Sequence, residues 1–289
     1  MRTNIRKPGW LKVKRTFGEN YRKLKSILAE SNLHTVCEEA GCPNICECFE
    51  QKTATFLILG DVCTRNCKFC DIKKGVPEPV DPDEPKRLAG IVKRLDLEYV
   101  VITSVTRDDL PSGGAEVFAQ CIKKVKELNP QSKIEVLIPD FSGSFKALKK
   151  VLKAKPEVLN HNLETIKRLY PSVRPKANYE LSLDILKRTK KENLEIITKS
   201  GIMLGLGESW EEIIQAMKDL KDSLCSLLTI GQYLKPKSST YEVRKYYHPD
   251  EFLELKEIGK KMGFSAVESN PLVRSSYRAK LQFKDTLKE

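Results

Sequence analysis

YVVITSVTRDDLPSGGAEVFAQCIKKVKELNPQSKIEVLI, residues 99–138, decides the fold. Residues 99–104 are an apolar, β-branched run, and residues 134–138 are another. Between them, residues 114–128 place apolar side chains at helical spacing. Strand, helix and strand make one βαβ unit, and such a crossover implies parallel strands. Working outward, the alternation repeats. Strand-like runs lie at 55–59, 157–160, 196–204 and 227–231. Helix-like runs lie at 84–97, 144–154, 163–169 with 179–191, 209–221 and 250–262. Six units are too few for a closed eight-fold barrel, so the pattern predicts an α/β fold, a partial (β/α)6 TIM-like barrel. FSAVES at 264–269 reads as an extra edge strand. Residues 1–52 are then an N-terminal extension, 53–262 the barrel and 263–289 a C-terminal extension. Residues 17–33 have helical spacing, whereas 37–48, rich in Gly, Pro and Asn, are expected to be irregular. VPEPVDPDEP at 76–85 is a stiff surface loop by composition.

A chain of 289 residues buries about 75% of the surface it exposes unfolded, enough for a core without staples. Lys and Arg number 51 against 39 Asp and Glu, a net charge of +12, with 40% hydrophobic residues. This composition excludes disorder and collagen. No apolar run approaches the ~18 residues of a membrane span. MRTNIRKPGWLKVKR, residues 1–15, is basic and lacks the apolar region of a secretory signal, so it is read as a native arm of a cytoplasmic protein. The basic residues are spread along solvated helix faces and aromatics are 7%, which lends nucleic-acid binding little support. An acidic protein partner and simple solubility are the other readings of the charge.

Seven of the nine cysteines fall between Cys37 and Cys70, where uniform scatter would put about one. Cys121 and Cys225 stand alone in helix-like segments and read as small buried hydrophobes. Cys63, Cys67 and Cys70 have the spacing C-x3-C-x2-C on the loop after the first strand. A four-iron, four-sulfur (4Fe–4S) cluster has an iron for each of four ligands, so three thiolates leave one iron open. Structural zinc takes four protein ligands and suits this triad poorly. The other strand ends carry Thr106, Arg107 and Asp108, then Asn160, His161 and Asn162, then Gly205 to Glu208, then Gln232 and Tyr233, all expected at one mouth. His34, His161 and His248 carry no ligand spacing, and no role is assigned to them.

C-x3-C-x2-C with Phe69 before its last cysteine resembles the signature of radical S-adenosylmethionine (SAM) enzymes. The resemblance implies that the open iron chelates the amino and carboxylate groups of SAM. An electron then cleaves SAM to methionine and a 5′-deoxyadenosyl radical. GIMLGLGE at 201–208 resembles the G-x-I-x-G-x-x-E strand motif of that superfamily, which puts Gly205 on the adenine side. Asn162, Glu164 and Arg174 are candidates to hold the ribose and methionine parts of SAM; each also reads as an ordinary surface or capping residue.

A second triad, Cys37, Cys42 and Cys48, stands in CEEAGCPNICEC at 37–48. This segment, with TATFLILGDVCTRNCKFCD at 53–71, resembles the lipoyl synthases. So do RKPGWLKVK at 6–14, ITSVTRDDLPSGGA at 102–115, HNLETIKRLYPSVRP at 161–175, KSGIMLGLGE at 199–208, LTIGQYLKP at 228–236 and VRSSY at 273–277. The resemblance implies two 4Fe–4S clusters and SAM as cofactors. Cys63, Cys67 and Cys70 would hold the SAM cluster. Cys37, Cys42 and Cys48 would hold an auxiliary cluster, with Ser276, or its neighbour Ser275, as fourth ligand. The implied reaction inserts sulfur at C6 and C8 of an octanoyl chain on a lysine of a lipoyl carrier protein, the auxiliary cluster being the donor. Carriers would be the lipoyl domains of 2-oxoacid dehydrogenase E2 chains and the glycine cleavage H protein. Ferredoxin or flavodoxin would supply electrons and assembly proteins the clusters. Cys46 departs from the family pattern and reads as an incidental thiol on the loop. A second radical SAM sulfur-inserting enzyme and a basic metal-binding nucleic-acid module are the alternatives.

Overall fold

The computed structural model describes residues 6–13, 17–51 and 53–287. Part of the basic arm, residues 1–5 and 14–16, lies outside the described residues. Helix α1 spans Glu19–Glu30 and buries Leu24, Ile27 and Leu28 on one face. Strand β1 is His34–Thr35, followed by the short helices α2, Val36–Glu39, and α3, Ile45–Glu50. The cysteine segment is therefore not irregular as expected. Thr35 caps α2: its hydroxyl accepts the Glu38 N–H and donates to the Glu38 carboxylate, a local exchange that Gly and Pro content conceals.

The barrel begins with β2, Thr55–Ile58. Two short strands, β3 (Val62–Cys63) and β4 (Lys73–Lys74), pair with each other beside the sheet. Then come α4 (Glu84–Arg94), β5 (Tyr99–Ser104), α5 (Ala115–Leu128), β6 (Lys133–Leu137), α6 (Phe145–Lys153) and β7 (Val158–Asn160). Next are α7 (Tyr170–Val173), α8 (Tyr179–Glu192), β8 (Ile197–Leu204), α9 (Trp210–Asp222), β9 (Leu227–Gln232), α10 (Pro249–Lys261), β10 (Ala266–Ser269) and α11 (Ala279–Asp285). The main sheet runs β1-β2-β5-β6-β7-β8-β9-β10. All neighbours are parallel except β1 against β2. The βα units match the sequence reading except at 163–169, where 163–166 are not helical and a single 3-10 turn, Lys167–Leu169, leads into α7; β10 is the extra strand anticipated at 264–269. β1 and β10 are the two ends of the sheet, as a partial barrel requires.

Parallel strands are buried on both faces. The outer face packs Val100, Ile102, Ile134 and Val136 against helices, all fully buried. The inner face is polar at its centre. Lys199 and Glu135 form an ion pair at 3.0 Å with neither side chain exposed. Tyr99 donates its hydroxyl to Glu135 at 2.8 Å, and the Asn160 amide donates to it at 3.1 Å. Below them Phe283 of α11 packs with Val158 and Leu227, and its ring lies 5.7 Å from that of Tyr99. These contacts are at the N-terminal ends of the strands, so α11 stops the lumen at the end away from the mouth. Cys121 is buried in α5. Cys225 is buried too, but in the turn between α9 and β9 rather than in a helix; its thiol donates to the Leu227 carbonyl. Among the described residues no helix is long and apolar enough to cross a membrane.

Candidate active site

The loop after β2 carries Cys63, Cys67 and Cys70, and three neighbours fix it. Gly75 of the strand-like segment after β4 donates its N–H to the Cys63 carbonyl at 3.1 Å. Thr64 donates both its N–H and its hydroxyl to the Thr106 carbonyl, each at 3.0 Å. Arg65 is the third. Its guanidinium bonds Asp108 through Nε and Nη2 and Asp140 through Nη1 and Nη2, all between 2.6 and 2.8 Å. Asp108 follows β5 and Asp140 follows β6, so one side chain ties the cysteine loop to two strand ends. Such two-pronged Arg–carboxylate contacts fix direction as well as distance. The Cys63 sulfur accepts the N–H of Arg65 and of Thr106, each at 3.4 Å. Donors aimed at sulfur favour a thiolate and tune a cluster bound through it.

Burial pushes the Cys70 thiol up to about 12. Burial also raises Cys67, against the opposing pull of the Arg174 guanidinium. In the second triad burial raises Cys37 and Cys48 to about 12, and raises Cys42 against the charge of Arg274. Unmetallated, Cys37, Cys42, Cys48, Cys67 and Cys70 hold their protons, so a metal centre must displace them. The turn that gathers this triad is closed by Cys42 donating its N–H to the Cys37 carbonyl at 3.0 Å. Cys48 donates its own N–H to the Asn44 carbonyl at 2.9 Å. Cys46, two residues before Cys48 in α3, is buried.

The C-terminal extension folds back over this segment. The Asn44 amide donates to the Leu272 carbonyl at 2.7 Å, and the Tyr277 hydroxyl donates to Glu47 at 3.0 Å. Gly231 of β9 permits the approach: the Val273 carbonyl lies where a Cβ would sit. Asn162 ties this tail to the barrel mouth. Its amide donates to the Ser275 hydroxyl at 2.6 Å and to Glu164 at 3.0 Å. Arg274, before Ser275, faces Cys42, and Arg174, beside Glu164, faces Cys67. Ser276 is half-buried beside these groups.

Asn162, Glu164 and Arg174 are therefore not surface residues. Asn162 is buried. Glu164 holds a left-handed φ of 70°, pinned because its N–H bonds Gly201 and its carbonyl accepts from Met203, both at 2.8 Å. Strain of this kind concentrates at functional positions. Burial raises the Glu164 carboxyl above the ordinary range. Arg174 Nη1 donates to the Asn162 and Leu163 carbonyls and to the Tyr170 hydroxyl. Several polar atoms here are buried with no partner: Asn162 Oδ1, Arg174 Nε, Thr165 Oγ1 and His161 Nε2. Orphaned donors and acceptors side by side suit a polar, zwitterionic ligand such as SAM. Each triad offers three separate thiols; among the described residues no trio of His, Cys, Asp or Glu forms a group for a single ion. One thiolate per iron is the donor set of a 4Fe–4S cluster, and the residues fit it.

Other expected mouth residues serve the fold. Arg107 is buried against Asp109 and the Leu59 carbonyl. Gln232 spends its amide on Leu204, Tyr233, Lys245 and Tyr247. Gly205, at φ 103°, has the Gln232 amide and the Lys245 carbonyl where a Cβ would be, so its own chain dictates glycine there. Sequence reasoning placed His161 at the mouth but gave it no role. The ring is fully buried, Nδ1 bonds the Ile138 carbonyl at 2.9 Å, and burial lowers it to about 4. Sequence reasoning missed Arg65, although two aspartates after successive strands were a usable signal.

Residues 57–220 match the radical SAM superfamily, and residues 2–42 match the N-terminal domain of lipoyl synthase of that family. The lipoyl synthase of Caldicellulosiruptor saccharolyticus is 57% identical over 274 residues, covering 95% of this chain and 96% of that one. The lipoyl synthase of Geobacillus thermodenitrificans is 52% identical over 286 residues, covering 99% and 96%. Among solved structures, a maturase of the FeFe-hydrogenase superposes with a TM-score of 0.59 at 16% identity, covering 73% of this chain and 49% of that one. Methylornithine synthase superposes with 0.51 at 14% identity, covering 78% and 67%. These two share the fold. With half-identical relatives matched from end to end, the chain belongs to the lipoyl synthases, a family of radical SAM enzymes.

Proposed function

We propose that this enzyme inserts sulfur at C6 and C8 of an octanoyl chain held on a lysine of a lipoyl carrier protein. The observation that supports the reading is the hydrogen-bonded run Ser275–Asn162–Arg174, with the charge of Arg174 acting on Cys67 and that of Arg274, next to Ser275, acting on Cys42. A site that both breaks a C–H bond and supplies sulfur needs two centres within reach of one carbon chain. Cys63, Cys67 and Cys70 would hold the SAM cluster, and Cys37, Cys42 and Cys48 the auxiliary cluster. Bound there, these groups supply a carbon radical strong enough for an unactivated methylene and a store of sulfide beside it.

The chain's own residues prepare the place. Arg65 sets the direction of the first loop. Asn162 and Arg174 keep unpaired polar atoms facing inward for SAM, and Glu164 stands locked between them. The Ser275 hydroxyl is engaged by Asn162, whereas no hydrogen bond is made by the Ser276 side chain among the described residues. That difference supports Ser276 as the oxygen ligand of the auxiliary cluster. Serine oxygen is a harder match to cluster iron than thiolate, so this iron is the easiest to release. We assign residues 1–52 and 263–289 to the auxiliary centre and 53–262 to the radical centre.

The test is mass spectrometry of an octanoyl-lysine peptide after anaerobic incubation with SAM and reductant. Replacement of two hydrogens by two sulfurs, closed to a ring or as the dithiol, is expected. An octanoyl chain returned unchanged by protein carrying both clusters would overturn the proposal.

A further inference from the structure

The C-terminal tail and the second cysteine segment lie side by side. Asn44, two residues after Cys42, donates to the carbonyl of Leu272, two residues before Arg274. The Val273 carbonyl sits over Gly231, and Arg274 Nη1 lies 3.4 Å from the point a Cβ would take on that glycine. The guanidinium is thus held at the mouth, on the side of the tail that faces β9. Nη1 donates to the Val273 carbonyl at 2.6 Å. Arg274 is half-buried, yet among the described residues no carboxylate lies within ion-pair distance of it. Arg65 and Arg107 differ: the first meets Asp108 and Asp140, the second Asp109. The charge of Arg274 acts instead on Cys42. Two other charges near this triad are negative, Glu38 acting on Cys37 and Glu47 on Cys48. A lone cation drawn partly out of water costs free energy until an anion completes it.

We propose that Arg274 is the counter-cation of the iron–sulfur centre on Cys37, Cys42 and Cys48, a positioning residue that holds the centre's negative charge at the Cys42 corner. The inference rests on the assignment of these cysteines and Ser276 as its ligands. Three thiolates and a serine oxygen anion outweigh the positive core, so the assembled centre is a net anion. Glu38 and Glu47 add to that charge, and Arg274 offsets it from the tail. Residues 274–276 therefore deliver an oxygen ligand and a compensating charge in one segment. Groups around a cluster set its potential, and outer-shell partners set how firmly its metal is held. A cation close by favours the more negative, reduced form, so Arg274 raises the potential of this centre. Arg274 exchanges no bond, proton or electron with it.

The test compares the reconstituted parent with Arg274→Gln and Arg274→Lys. The first removes the charge but keeps an amide that can donate to Val273; the second keeps the charge. Iron release to a chelator follows how firmly each centre is held, and a redox titration monitored by electron paramagnetic resonance follows the potentials. Formation of 5′-deoxyadenosine reads the first centre separately. Arg274→Gln should release the second centre's iron about tenfold faster than the parent. Its potential should shift downward, with SAM cleavage retained, and Arg274→Lys should restore most of both. Without metal the sign reverses: metal-free Arg274→Gln should unfold at the same or a higher urea concentration than the metal-free parent, because the unpaired charge is gone. In a parent with about eight iron atoms, unchanged iron release and potential in Arg274→Gln overturn the counter-cation alone. Equal damage in Arg274→Lys overturns it too, as does a metal-free Arg274→Gln that unfolds at lower urea, since Arg274 is then a tail anchor. Weaker SAM binding with iron release unchanged would make SAM the anion and overturn the assignment. A parent that binds only about four iron atoms, all lost in Cys67→Ala, overturns the reading of a second centre itself.

Discussion

At the level of single residues, the buried groups are the sharpest test of the structure. Lys199 lies in the lumen, paired among the described residues with Glu135. Removing one partner of such a pair leaves a bare charge in a dry site, which costs about 3–5 kcal/mol. Lys199→Met should therefore lower the unfolding free energy by that amount in a urea titration, although methionine fills nearly the same volume. His161 makes a pH-dependent contribution. Its folded value of about 4 lies below its ordinary 6.5, so the neutral ring stabilises the fold above pH 6.5. That stability is lost as pH falls towards 4, and the full shift is worth ~3 kcal/mol. Urea titrations at pH 7 and pH 4 should show the parent losing ~3 kcal/mol more than His161→Gln. Equal losses would place His161 in a wetter setting than the structure gives it. The cysteine roles are separable too. Cys67→Ala should abolish 5′-deoxyadenosine formation, whereas Cys42→Ala should keep it and stop sulfur insertion.

Among the elements, β9 and the tail matter most to the proposed auxiliary centre. The Val273 carbonyl occupies the space over Gly231. Gly231→Ala forces a methyl group into a backbone atom, which only movement of the tail can relieve. The expected outcome is an enzyme that keeps its SAM cluster, seen as retained SAM cleavage, but binds about four iron atoms fewer. Retention of the parent's iron content would show that the tail does not hold the second centre. The elements also show what could be read from the sequence and what could not. Strands β5 and β6 and helix α5 were legible in residues 99–138 because a repeating apolar period survives any tertiary context. The turns α2 and α3 were hidden because they rest on one threonine cap and on backbone bonds within a dozen residues. Cys63, Cys67 and Cys70 were legible as a group from spacing alone. Asn162 was not legible as a buried bridge, because Ser275, its partner, is 113 residues away.

On the scale of the whole molecule, the N- and C-terminal extensions pack against one another. Asn44 meets Leu272 and Glu47 meets Tyr277 across separations of 228 and 230 residues. A chain cut after Val273 should keep the first triad's chemistry and lose the second triad's cluster to a chelator within the time the parent retains it. That span also orders events in time. A ribosome adding about 5–20 residues per second takes roughly 2–9 s to go from Gln232, the end of the sixth barrel strand, to Tyr277. During that interval Cys37, Cys42 and Cys48 belong to a nascent chain whose fourth side is missing. Under the proposed assignment, a centre on the first triad can be loaded before the tail is made, but one on the second must wait for Ser276 and Tyr277. Translational arrest before residue 270 should thus yield chains loaded at one centre only.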